Sequence, residues 1–99
     1  MEIEVSELME VHILALRSWA DELFESLAMK DDQSFELDFT EIEFMSRAFA
    51  HQYLCNKKTF PKRIVEKNLN ESVQQMLKLT SVNLIKKTRC VNRPPINIL

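Results

Sequence analysis

Glycine is absent from all 99 residues. A phosphate-cradling Walker loop, a dinucleotide GxGxxG turn and a GxSxG nucleophile elbow are therefore excluded. Each needs backbone to pass where a Cβ would clash. Left-handed turn positions are expected to fall to Asn or Asp, and Asp31-Asp32, Asn56, Asn68 and Asn70 stand where such turns are wanted. Cysteine is scarce: Cys55 and Cys90 lack the CxxC spacing of a zinc site, and a pair gives little support for a secreted disulfide scaffold, so both could be thiols in a reducing cytoplasm. Long apolar runs are missing too. The longest, Ile13-Leu14-Ala15-Leu16, ends at Arg17, far short of the ~18 residues that would suggest a membrane helix. The start, Met1-Glu2-Ile3-Glu4, is acidic where a secretory signal would be basic, so the expected location is cytoplasmic, with no membrane association.

What is present suits one globular domain: 45% hydrophobic and 28% charged residues. The formal net charge is only −2, yet the charges are segregated. Residues 1–43 hold thirteen acids and two bases, net −11; residues 44–99 hold two acids and eleven bases, net +9. The halves could neutralise each other within the fold, pair between subunits, or leave the basic half for an acidic partner.

Patterning predicts strands and helices in alternation. Glu2–Val5 alternates polar and apolar as a strand does, and Ser6–Glu10 reads as a turn or short helical piece. Leu16, Ala20, Leu23, Phe24 and Leu27 recur every three or four residues, with Trp19 beside them. They predict a helix of roughly four turns ending near Met29, with Arg17, Asp21, Glu22 and Glu25 facing water. Phe35–Phe39 is a second strand, and Ile42–Met45 extends into a loop. Ser46 then caps a helix carrying Ala48, Phe49, Gln52, Tyr53 and Asn56 on one side and closed by Lys57-Lys58. Arg63–Glu66 is a third strand. Asn70 caps a last helix with Val73, Met76, Leu77 and Thr80 as its buried face. The prediction is a small mixed or parallel α/β sheet with helices packed on it, one domain over residues 1–85. Residues 86–99, with Pro94-Pro95 and Ile96–Leu99, are read as a tail or extended arm.

Candidate chemistry is thin. His51 and Cys55 are one helical turn apart, but two groups make neither a metal site nor an oriented nucleophile; a small core cysteine is the simpler reading. His12 and Cys90 have no local partners that would complete a set. Asp38 ends a strand, where α/β sites gather, but its simpler role is to accept hydrogen bonds from the following loop. Glu41 and Glu43 read as a solvated loop. The cluster Lys57, Lys58, Lys62 and Arg63 around Phe60 is an electrostatic footprint for nucleic acid without an accompanying binding motif.

From Glu36 onward, Glu-Leu-Asp-Phe-Thr-Glu-Ile-Glu-Phe-Met-Ser-Arg-Ala-Phe-Ala resembles the central signature of STAS domains, the fold of bacterial anti-sigma-factor antagonists. Leu37-Asp38 and Phe44-Met45 match its apolar frame, and Ser46-Arg47-Ala48 stands at its polar cluster. Phe49-Ala50, Leu16-Arg17-Ser18, Glu22-Leu23-Phe24 and the stretch Asn68–Val73 are similar to a divergent STAS-like group of uncharacterised proteins. The resemblance covers roughly residues 14–80. It implies a non-catalytic regulatory module without a cofactor, docking on an anti-sigma-type or histidine-kinase-like ATPase partner through Thr40, Ser46, Arg47 and His51. The family's phosphorylated serine corresponds to Ala48 here, which leaves Ser46 as the modifiable hydroxyl nearby. Two other readings stay open: a nucleic-acid-binding or antitoxin-like protein using the basic half, and a homo-oligomeric assembly subunit.

Overall fold

The computed structural model describes residues 1–87. It is an α/β fold, ordered β1 (Glu2–Glu4), α1 (Val5–Met9), β2 (Ile13–Leu14), α2 (Arg17–Ala28), β3 (Ser34–Asp38), β4 (Phe44–Met45), α3 (Arg47–Thr59), β5 (Arg63–Lys67) and α4 (Glu71–Lys87). The last helix passes the expected boundary at residue 85, and the expected arm beyond it, Pro94-Pro95 and Cys90 included, lies outside the described residues.

β1, β3 and β5 form a parallel sheet in that order, with Ile3, Leu37 and Glu66 in one register row. Because the order advances in one direction, crossovers of one hand put α2 and α3 on the same face. Burial agrees: Phe35, Leu37 and Ile64 are buried, whereas Ser34, Glu36, Arg63 and Val65 alternate with them and are exposed. Among the described residues the second face, polar but for Val65, is thus left uncovered, an unusual state for a parallel sheet. Lys67 spans it, bonding Glu2 at 3.1 Å and Glu36 at 3.5 Å. Among the described residues this lysine makes the ion pairs that join the acidic and basic halves; Lys57–Glu66, at 2.7 Å, is internal to the basic half.

The core lies between the helical face of the sheet and the layer of α2, α3 and α4. Leu23, Phe24 and Leu27 of α2 meet Phe49 and Tyr53 of α3 and Val73 of α4, with Phe49 and Tyr53 stacked at 6.0 Å. A polar seam runs between α2 and α3. The buried Gln52 donates to Asp21 (3.2 Å) and Asn56 (3.0 Å) and accepts from Arg17 (3.3 Å), and Asn56 donates to Asp21 at 2.8 Å.

Several expectations are corrected. Leu16 is 53% exposed because it is the extended residue before α2, outside the helical stripe. Asp21 faces α3 rather than water. Ala48 is exposed, and the buried side of α3 is Phe49, Ala50, Gln52, Tyr53 and Cys55. The left-handed positions are Glu10, Glu41 and Asn68, so two of the three went to glutamate.

Candidate functional site

The start of α3 is built from two directions. Ser46 is extended (φ −76°, ψ 161°), and its hydroxyl accepts the Phe49 N–H at 3.0 Å, satisfying one orphan donor of the first turn. The same hydroxyl donates to the Ala15 carbonyl at 2.6 Å, and the Ser46 N–H donates to the Leu14 carbonyl at 2.8 Å. Both capacities of this side chain are therefore used, one on its own helix and one on a segment 31 residues earlier.

That earlier segment is the end of β2 and the residue after it. β2 pairs in parallel with β4, Ile13 opposite Phe44 and Leu14 opposite Met45. Alternation then divides the four side chains: Leu14 and Met45 are in the core, while Ile13 (47% exposed) and Phe44 (45% exposed) stand together on the outer surface. Leu16, also exposed, follows two residues after Leu14. Arg47 is exposed at the head of α3, and His51, one turn on, is half-buried with its Nδ1 4.0 Å from the Sγ of the buried Cys55, which is not the free thiol expected of it. Exposed apolar side chains flanked in sequence by the exposed His12, Glu43 and Arg47 have the composition of a docking surface.

The loop between β3 and β4 is held by its own hydrogen bonds. Asp38 Oδ1 accepts from the Thr40 hydroxyl (2.6 Å), the Thr40 N–H (2.9 Å) and the Asn68 amide (3.0 Å). These donors hold the Asp38 carboxyl down at about 2, the Thr40 hydroxyl most, then Asn68, then the Thr40 backbone, against a small opposing effect of burial. Glu41 takes φ 74°, with the His12 ring nitrogen 3.1 Å from its carbonyl oxygen, and the Glu43 N–H reaches the His12 carbonyl at 2.7 Å.

The four expected site residues thus separate. Ser46, Arg47 and His51 share the head and one side of α3, while the Thr40 hydroxyl is committed to Asp38 at the ends of β3 and β5. Sequence reasoning missed Ile13, Leu16 and Phe44, because a two-residue strand shows no periodicity from which an outward side chain could be read. The basic cluster is partly consumed. Lys57 pairs with Glu66, Lys62 bonds the Lys30 carbonyl at 2.8 Å and lies over the Phe35 ring, and Phe60 packs on Phe24.

Among the described residues, no three His, Cys, Asp or Glu side chains are grouped as metal ligands, and no helix is long and apolar enough to cross a membrane. No family model, curated protein or solved structure matches the chain.

Proposed function

We propose that this chain is a regulatory protein-interaction module, without catalysis of its own, that docks through the β2–β4 surface and the head of α3. The observation that carries the reading is the exposure of Ile13 and Phe44 as register partners, with Leu16 and Arg47 close in sequence to that pair. Alternation turns one register pair of two such strands outward, and here that pair is apolar where a solvated one would be polar, which favours a partner. The resemblance of residues 36–54 to the STAS signature supports the same surface and suggests the partner class, an anti-sigma-type protein or histidine-kinase-like ATPase that would supply any nucleotide chemistry. Ser46 would then be a modifiable latch, since phosphate on its oxygen would remove the donor to Ala15 while sitting favourably at a helix N-terminus.

Capture from the native cell with the intact chain and with Phe44→Glu tests the proposal. Retention of an ATPase of that class by the former and its loss by the latter is expected. Retention by neither, or equally by both, overturns the reading. Salt-sensitive micromolar binding to duplex or single-stranded nucleic acid would favour the alternative instead, although Lys57 and Lys62 are already engaged internally.

A further inference from the structure

We infer that Cys55 and Cys90 form an intramolecular disulfide that clamps the chain beyond α4 over the outer side of α3. Cys55 is disulfide-bonded, and the sequence holds one other cysteine, Cys90. The setting of Cys55 points the same way. At 3.6 residues per turn it stands roughly 200° round α3 from Tyr53, which reaches Glu66 of β5. Of the positions that share its side, Ala48, Lys58 and Thr59 are exposed and His51 is half-buried. Yet Cys55 is 0% exposed and is not among the buried side chains of the core cluster. Its cover therefore comes from chain outside that core.

The bond is within reach of the chain. α4 lies against α3, and Cys90 follows the last residue of α4 by three, ~10 Å of extended chain. Forming the bond takes two electrons and two protons from the two thiols; a disulfide oxidant accepts both and becomes a pair of thiols. A dithiol reverses the exchange and ends as a disulfide itself. His51 Nδ1, 4.0 Å from the Cys55 Sγ, is placed to protonate that sulfur as it departs. The clamp therefore closes in oxidising surroundings and opens in reducing ones, and opening uncovers the side of α3 that carries His51. It rests on the state of Cys55 and not on what docks at β2–β4.

Intact mass and thiol alkylation of the full chain test this. After exposure to oxidised glutathione the chain should weigh ~2 Da less than its reduced form and offer no thiol, with its Cys55 and Cys90 peptides joined after digestion. Dithiothreitol should release two thiols and, because the bond closes a loop of about 35 residues, lower Tm by ~10 °C or more. Cys90→Ser should show that low Tm with and without dithiothreitol. In its folded state N-ethylmaleimide should reach Cys55 at a rate within ~tenfold of that in the urea-unfolded chain, because the cover has gone. Two free thiols after oxidation, glutathione left on either sulfur, or a bond between chains overturns the inference. So does a Tm indifferent to dithiothreitol, or a Cys55 still shielded from maleimide in folded Cys90→Ser.

Discussion

Consider what happens when Ser46 loses its hydroxyl, and what happens when it keeps an acceptor but loses the donor. Ser46→Ala removes the acceptor for the Phe49 N–H and the donor to the Ala15 carbonyl together. A lost N-cap costs about 1 kcal/mol, and a lost net hydrogen bond to a partly buried carbonyl costs about 1 kcal/mol more. The expected destabilisation is therefore about 2 kcal/mol, which for a domain of this size lowers Tm by roughly 10 °C. Ser46→Asp behaves differently. A carboxylate caps as well as a hydroxyl and gains about 0.5 kcal/mol from the helix dipole, but it cannot donate to Ala15 and sets a negative oxygen against that carbonyl. Global stability should stay within about 1 kcal/mol of the native chain, by the same capping and dipole magnitudes.

The local consequence is the informative one. β2 is held to α3 by the hydroxyl and by the Ser46 N–H to the Leu14 carbonyl. With the hydroxyl bond gone in Ser46→Asp, this N–H should exchange at least ~tenfold faster than in the native chain, a change corresponding to about 1.4 kcal/mol of local opening. Urea unfolding followed by circular dichroism gives the global term, and amide exchange gives the local one. Equal global losses in the two variants, or a Ser46→Ala loss below about 0.5 kcal/mol, would refute the assignment of separate capping and latching roles. If the roles hold, Ser46→Asp should also weaken partner capture, because Ile13 and Leu16 flank the carbonyl it releases.

Further outcomes are expected elsewhere. The Asp38 carboxyl lies at about 2 against an ordinary 3.8, so its bonds to Thr40 and Asn68 contribute stability above pH 3.8. That contribution should fade as pH falls from 3.8 through about 2, and Asp38→Asn should abolish the pH dependence in that window; a carboxyl titrating normally by NMR would contradict it. Burial, then the Glu66 carboxylate, pushes the Tyr53 phenol well above 10, so stability should decline as pH rises beyond 10, where the unfolded phenol ionises and the folded one does not. Tyr53→Phe leaves Glu66 with Lys57 alone, should cost about 1.5–3 kcal/mol in denaturant unfolding, and should remove that alkaline decline. Glu41→Asn should stabilise the chain by up to about 1 kcal/mol, because asparagine tolerates φ 74° better; a loss instead would mean that the Glu41 side chain holds the loop.

The larger elements were legible because their signals are periodic over many residues. Phe35 and Leu37 alternate with Ser34 and Glu36, and among the described residues the structure keeps that alternation as one buried and one exposed side of β3. Ala20, Leu23, Phe24 and Leu27 recur at helical spacing and are all buried. Ser46 and Asn70 were readable as caps since their chemistry is local: Asn70 Oδ1 accepts the Val73 N–H at 2.8 Å just as Ser46 accepts that of Phe49. Asp38 was readable for the same reason, as its loop partner Thr40 is two residues away.

The docking surface was illegible for a reason that also explains why it is a surface. β2 and β4 each contribute two residues, and neither would hold an extended conformation alone. They pair because α1 and the turn at Glu10 return the chain to the head of α3, where Ser46 fastens it. Which member of each pair turns inward follows from that long-range register: Leu14 and Met45 fill the core, so Ile13 and Phe44 must point out. With one face of this pair on the core, alternation leaves the other two side chains on the far face, which no described residue buries. The exposed apolar pair is thus a consequence of anchoring β2 to a capped helix, and loosening the anchor at Ser46 is the change that should alter the docking face while leaving the three-stranded sheet intact.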